Sequence, residues 1–239
     1  YKLKRVKRRT DSLMRRHDVD DYDECLKLIK NDPEFKAAYL NHFTINTSEF
    51  FRNPDNFTYL KNEILPTLLE NNKKINIWSA PCSNGSEPYT IAIILNEMGI
   101  KSSRYHILAS DLDTQIIETA KNGVYGSSSL KNVPDKILDK YFNKISAKNK
   151  YQLDRKIINE IKFEKKDLIN DRFKKNWDLI LSRNFFIYLT KEVKDEITKK
   201  FVSVLNTGGY FFLGNTEFIF NPGKYNLNKE YLSFYKKEN

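Results

Sequence analysis

The sequence predicts an α/β protein, a doubly wound and mainly parallel sheet preceded by a small all-helical module. Three features point there. Residues 1 to about 70 carry apolar positions at helical spacing, short apolar runs alternate with helical stretches from Ile75 onward, and the first of those runs ends in a turn of small residues. A chain of 239 residues holds one large domain and a small one, at ~100–200 residues per domain. The boundaries expected are 1–60 for the helical domain and 61–239 for the α/β domain, with an inserted β-subdomain at about 143–166.

Each element follows from a local pattern. Leu3, Val6, Thr10 and Leu13 recur at helical spacing and leave the basic residues on the other faces, which describes an amphipathic helix with a cationic exterior. Asp21 with Glu24 resembles a capping box that opens a second helix, and Asp32-Pro33 places a cap and an N1 proline in order for a third. Ile75 to Ala80 reads as the first strand, Ser86 to Met98 as a helix, Tyr105 to Ser110 as a second strand and Asp113 to Lys121 as a second helix. Lys144 to Lys166 is polar, and its alternating segments around Tyr151 and Ile161 to Phe163 predict an antiparallel hairpin. The α/β pattern then resumes with strands at Trp177 to Leu181, Tyr210 to Leu213 and Glu230 to Tyr235, and a helix at Lys191 to Leu205.

Composition narrows the chemistry. Cys25 and Cys82 are the only cysteines and His17, His42 and His106 the only histidines, too few for a disulfide framework or a zinc site and in no motif with a nucleophile. No metal is expected, and the reaction needs no imidazole. The first residues are basic without an apolar core behind them, and no run reaches the ~18 apolar residues of a membrane helix. The expectation is a cytoplasmic monomer that is not itself a membrane protein. The net charge is +10, densest in the first sixteen residues, where Lys2, Lys4, Arg5, Lys7, Arg8, Arg9, Arg15 and Arg16 face a single acid, Asp11. Such a face suits an acidic partner, either nucleic acid or a Glu-rich protein helix, and a solvated helix face fits it equally.

Three stretches can carry chemistry. Ile77 to Tyr89 runs from a strand through Pro81-Cys82-Ser83-Asn84-Gly85 into a helix, the place where a nucleotide-like ligand meets the carboxyl end of an open sheet. It lacks a G-x-G-x-x-G spacing, so a pyrophosphate site is not indicated, and by itself it reads more readily as a structural turn. The second strand ends in Ala109-Ser110-Asp111-Leu112-Asp113; Asp111 stands where an acid accepts both ribose hydroxyls, while Asp113 suits a helix cap. Leu181 to Tyr188 ends the strand that flanks the first one across the switch point. There Tyr188 either reaches the reacting group or fills the core.

Five blocks in order, Asn46 to Arg52, Ile77 to Tyr89, Ala109 to Asp113 with Gly123 to Tyr125, Ser182 to Tyr188, and Gly208 to Tyr210 with Leu213 to Glu217, resemble the successive signatures of the chemoreceptor glutamate methyltransferases, the CheR family. The resemblance runs the length of the chain. It implies a class I S-adenosylmethionine-dependent methyltransferase (a Rossmann-like sheet of seven strands, the last antiparallel) with an N-terminal helical domain, an inserted antiparallel β-subdomain, and the methyl donor between the two domains. Residue by residue, it implies that Asn46, Ser48 and Arg52 reach the donor from the helical side and that Glu87, Asp111, Asp167, Leu168, Arg183 and Asn184 hold it from the sheet. Arg52 and Tyr188 are the implied catalytic residues. The sequence departs from the family pattern with Ser48 for Thr, Asp167 for Asn, Ser86 for an acid, and Pro81 for Gly or Ala; Pro81 has no N–H to give a ligand.

The implied reaction fits the composition, because a glutamate with pKa near ~4.3 is ionised at neutral pH and attacks a sulfonium methyl without a general base. The implied partners are the cytoplasmic helices of chemoreceptors, with Arg8, Arg9 and Arg15 as the contacts to their acidic faces. The segment from Asn143 to Lys166 contains no glycine, which disfavours a tight hairpin turn and favours direct recognition of the methylation helix over a docked receptor peptide. Two alternatives stand beside this reading: an RNA or DNA methyltransferase of the same fold, and a non-catalytic S-adenosylmethionine-binding module. No Asn/Asp-Pro-Pro-aromatic run occurs at Arg183 to Phe186, so no nucleic-acid substrate is expected.

Overall fold

The structure, a computed structural model, describes residues 3–43, 48–146 and 149–239. Contacts divide the chain into two units, Tyr1–Asn46 with Tyr188–Lys191, and Thr47–Ile187 with Glu192–Asn239. This division falls before Thr47, whereas the sequence reading drew its boundary after residue 60; Phe57, Leu60 and Leu65 belong to the core of the sheet unit.

The helical unit contains α1 (Leu3–Arg16), α2 (Tyr22–Asn31) and α3 (Pro33–Phe43). Asp21 accepts from the Glu24 N–H at 2.7 Å, and Asp32 accepts from the N–H groups of Glu34 and Phe35, so both expected caps satisfy donors that a helix start leaves unpaired. Leu13, Met14, Val19, Cys25 and Phe35 form the core of this unit. The Thr10 hydroxyl, buried on α1, lies 3.1 Å from the Tyr39 hydroxyl on α3.

The sheet unit opens with α4 (Pro54–Tyr59) and α5 (Leu65–Asn71), joined by a π-helical turn at Leu60–Ile64. Then follow β1 (Ile75–Ser79), α6 (Ser86–Glu97), β2 (Tyr105–Asp111), α7 (Thr114–Asn122), β3 (Val124–Gly126), α8 (Ser127–Leu130), α9 (Asp135–Tyr141), β4 (Phe142–Ser146), β5 (Lys150–Leu153), α10 (Arg155–Asn159), β6 (Ile161–Lys165), β7 (Trp177–Ser182), α11 (Lys191–Val204), β8 (Leu205–Leu213), β9 (Leu227–Tyr231) and β10 (Phe234–Lys237).

Among the described residues, seven strands form one sheet in the order β6-β2-β1-β7-β8-β10-β9. The first five are mutually parallel, and β10 is antiparallel to both β8 and β9. The order reverses between β1 and β7, where Ser79 pairs with Ala109 on one side and Leu181 on the other. Both faces are covered, as the near-continuous apolar strands require. Ile77 packs into the cluster that holds Phe57, Tyr89 and Phe212. The next residue, Trp78, points the other way onto Phe201 and Trp177, with ring centroids at 5.3 and 5.5 Å.

Two elements differ from the sequence reading. Ile161 to Phe163 is not the second arm of a hairpin: it belongs to β6 and pairs parallel with β2. The small antiparallel sheet is instead β3-β5-β4, and it recruits Val124–Gly126 from ahead of the expected insertion. Glu230 to Tyr235 resolves into the end of β9, a turn, and the start of β10, because the hairpin folds back at Leu232-Ser233.

Candidate active site

The turn after β1 is stitched to both neighbouring strands. Ala80 N–H donates to Leu181 C=O and Cys82 N–H to Ser110 C=O, each at 2.8 Å, and the Ala80–Pro81 peptide is cis. Gly85 begins α6 at φ +82°, a left-handed conformation that favours glycine. A Cβ there would also sit 2.8 Å from the Tyr89 ring and 2.9 Å from Ala120 Cβ. The small residues thus let the turn lie flat on α6 and α7.

Asp111 closes this turn. Its Oδ2 accepts from the Ser83 N–H at 2.9 Å and its Oδ1 from the Asp113 N–H at 3.1 Å. Burial pushes the Asp111 carboxyl above its ordinary pKa, and the backbone donors of Asp113 and Ser83 offset part of that rise. Asp113 is the cap of α7, accepting from Gln115 and Ile116 N–H, as its position suggests.

Ser48 and Arg52 lie on a short segment packed onto the sheet unit. Phe50 anchors it, fully buried, edge-on to Tyr125 and Phe142 at 4.8 and 5.1 Å. Its backbone is pinned at both ends. Phe50 N–H donates to Ser129 C=O, Phe51 N–H to the Thr90 hydroxyl, and the Asn84 side-chain amide to Ser48 C=O. At the far end the Arg183 guanidinium donates to Arg52 C=O at 2.7 Å and to Asn53 Oδ1 at 2.8 Å.

Arg183 is itself buried, with its guanidinium over the rings of Phe57 and Phe212 at 5.1 and 4.6 Å. It donates to Glu87 Oε2 at 3.3 Å, while the Ser79 hydroxyl donates to Glu87 Oε1 at 2.7 Å. Burial raises the Glu87 pKa, and Arg183, Ser79 and Arg52 oppose that rise. These contacts couple the segment that bears Arg52 to the ends of β1 and β7.

Asn184, next in the chain, adopts φ +60°, a left-handed conformation that asparagine tolerates better than most residues. Asp167 and Leu168 follow β6, whose Lys165 pairs with Asp111. Leu168 is buried, and Asp167 is engaged with its own turn, accepting from Ile169 N–H, Asn170 N–H and the Asn170 amide. Burial raises the Asp167 pKa, but those three donors outweigh it and the carboxyl ends below its ordinary value.

The structure therefore gathers Ser48, Arg52, Glu87, Asp111, Arg183 and Asn184 about the carboxyl ends of β1, β2 and β7, where a doubly wound sheet binds its ligand. Asn46 lies outside the described residues. Tyr188 is half-buried, ends a single 3₁₀ turn (Phe186–Tyr188), and groups with the helical unit. In that unit Arg8 and Arg15 are exposed on α1, whereas Arg9 is half-buried with its guanidinium donating to His42 C=O. Sequence reasoning gave no role to Ser79, Asn53 or Glu217, which position their neighbours through hydrogen bonds; the one available signal was that Ser79 and Glu217 fall inside the signature blocks.

The chemistry at the carboxyl ends of these strands fits an adenosyl donor. A buried acid stands at the end of β2, and the hydroxyls of Ser83, within the turn after β1, and Ser182, at the end of β7, are buried with no hydrogen-bond partner among the described residues.

Family comparison agrees with this geometry. Residues 46–232 match the profile described as "CheR methyltransferase, SAM binding domain", and residues 1–44 match "CheR methyltransferase, all-alpha domain". The chain is 35% identical over 228 residues to a chemotaxis protein methyltransferase of Listeria monocytogenes, covering 95% of this chain and 86% of that one. It is 34% identical over 211 residues to the protein of the same description from Borreliella burgdorferi, covering 83% and 72%. A third such protein, from Escherichia coli, is 28% identical over 206 residues, covering 83% and 71%. The chain belongs to the CheR methyltransferase family, and its sheet unit is that family's S-adenosylmethionine-binding domain.

Proposed function

We propose that the protein transfers the methyl group of S-adenosylmethionine to glutamate side chains on the cytoplasmic helices of chemoreceptors, giving methyl esters. The observation that carries this is that no imidazole stands among the described residues at the carboxyl end of the sheet. His106 stands five residues before Asp111 on β2, roughly 16 Å away at the strand rise. The carboxylates of Glu87, Asp111, Asp167 and Glu217 each accept from protein donors, and burial holds the Cys82 thiol well above its ordinary pKa. A nucleophile that arrives already ionised, as a glutamate does at neutral pH, needs no imidazole there.

S-adenosylmethionine supplies an electrophilic methyl carbon on sulfur. The chain's own residues bind and orient. Asp111 would accept from the ribose hydroxyls, and Asn46, Ser48, Glu87, Asp167, Leu168, Arg183 and Asn184 would hold the remainder, Arg183 by fixing the backbone of Arg52. The Arg52 guanidinium orients the incoming carboxylate through paired hydrogen bonds and partly neutralises it, and Tyr188 trims the angle of attack. Orientation and exclusion of water supply most of the acceleration, effects worth ~7–11 kcal/mol in favourable cases. Arg8 and Arg15 steer the acidic receptor helix.

Calorimetric titration with S-adenosylhomocysteine, followed by labelled transfer to receptor membranes or to bulk RNA, tests the proposal. Binding with transfer to the receptor alone is expected. Transfer to RNA, or binding without transfer to either, would remove it.

A further inference from the structure

Glu217 lies in the turn after β8 and is buried at 6% exposure. Its carboxylate faces backbone. Oε2 accepts from the N–H of Asn184 at 2.7 Å and of Gly214 at 2.8 Å, and Oε1 accepts from the N–H of Ile187 at 3.1 Å. Two of these donors belong to the loop after the neighbouring strand β7, whose Ser182 pairs with Leu213. The turn that carries Glu217 is closed by its own N–H donating to Gly214 C=O at 2.9 Å. Gly214 is required for the approach, since a Cβ there would lie 2.6 Å from Glu217 Oε2 and 3.0 Å from Asn184 N.

We infer that Glu217 is a positioning residue for methyl transfer, a buried anion that fixes the Asn184–Ile187 loop from the adjacent strand and so sets Asn184 and the chain entering Tyr188. This rests on the functional reading above, which gives Asn184 to the donor and Tyr188 to the reaction. An ionised carboxylate accepts at both oxygens and donates nothing, so it satisfies N–H groups that converge on both of them. Burial raises the Glu217 pKa, and the backbone donors, Asn184 foremost, pull it back, as expected of an anion held by peptide dipoles. On the other side of Asn184, the Arg183 side chain ties the same loop to Arg52 C=O. The loop is thus held from two directions by protein contacts, the preorganisation that transfer by orientation requires.

The test uses the full chain and four variants: Glu217→Gln, nearly isosteric but turning a donor toward donors; Gly214→Ala, which displaces the carboxylate without removing its charge; Asn184→Ala; and the Glu217→Gln/Asn184→Ala double variant. S-adenosylhomocysteine affinity is read by calorimetry, kcat and KM with receptor membranes, and folding by circular dichroism. Glu217→Gln should fold, bind S-adenosylhomocysteine roughly tenfold more weakly, as for loss of one buried hydrogen bond, and lose about 100-fold in kcat at saturating donor. Gly214→Ala should repeat the pattern in milder form. The double variant should bind S-adenosylhomocysteine no more weakly than Asn184→Ala alone, because both changes act through one loop.

Wild-type values of affinity and kcat in Glu217→Gln, additive losses in the double variant, or failure of both Glu217→Gln and Gly214→Ala to fold would overturn the inference. A wild-type protein that bound no S-adenosylhomocysteine would instead sink the functional reading beneath it.

Discussion

The guanidinium of Arg183 stands 3.3 Å from the Glu87 carboxylate, with both side chains buried, and the same guanidinium donates to the Arg52 carbonyl. The residue proposed to hold the donor thus gives Nη1 and Nη2 to protein, while its buried Nε has no hydrogen-bond partner among the described residues. Arg183→Ala is expected to lower unfolding free energy by about 3–5 kcal/mol, the usual loss when one partner of a buried pair is removed. Urea denaturation measures it. The Glu87→Gln/Arg183→Met double variant should lose less than the sum of its single changes, since neither charge is then left alone.

Asp111 holds the Ser83 turn and faces the proposed ribose site with the same carboxylate. Asp111→Asn should weaken S-adenosylhomocysteine binding by about 100-fold, the equivalent of roughly 3 kcal/mol for hydrogen bonds to a charged acceptor. The pH dependence has a definite sign. Because burial raises the folded-state pKa of Asp111, its proton arrives at higher pH than on a free aspartate, and affinity should fall as pH drops through that raised value. Affinity that stays flat on acidification, read by calorimetry, would separate Asp111 from binding.

Arg52 lies on a segment pinned by the Phe50 and Phe51 N–H groups and by Arg183. These ties hold the segment by its backbone, so substitutions of the side chain are read with folding measured in parallel. Arg52→Lys keeps the charge but loses the planar fork, so kcat should fall while folding is unchanged; Arg52→Ala should fall further. Steady-state kinetics check both. Unchanged methylation in Arg52→Ala with intact donor binding would remove Arg52 from the mechanism.

The cationic helix carries both exposed and tethered arginines. Arg8 and Arg15 are exposed, and neutralising both should slow receptor methylation at low salt, with the difference vanishing as salt is added. Arg9 is tied to the His42 carbonyl, and burial lowers its pKa. Arg9→Ala should therefore lower the melting temperature of the helical unit, where the Arg8 and Arg15 changes leave it alone.

What the sequence made legible was periodic or modular. The α/β alternation, the caps at Asp21, Asp32 and Asp113, and the strand ends carrying Asp111 and Arg183 follow from local residue patterns and match the structure. Ile161 to Phe163 was misread because a short alternating run looks the same in a hairpin arm as in an edge strand of a parallel sheet; only its pairing with β2 decides. Val124–Gly126 is too short to register as a strand before its partner, β5, is known. Glu217 stayed without a role because its hydrogen bonds run to backbone N–H groups some thirty residues away, a relation that leaves no spacing in the sequence. Arg9 looked like its neighbours because charge is local, while its tether to His42 depends on how α1 and α3 pack.

The most direct measurement is alkaline hydrolysis of receptor membranes after incubation with the purified protein and S-adenosylmethionine labelled in its methyl group. A carboxyl ester should release the label as methanol, in proportion to receptor glutamates modified. Label that survives alkali, or that appears in RNA and not in receptor, would contradict transfer to an ionised side chain.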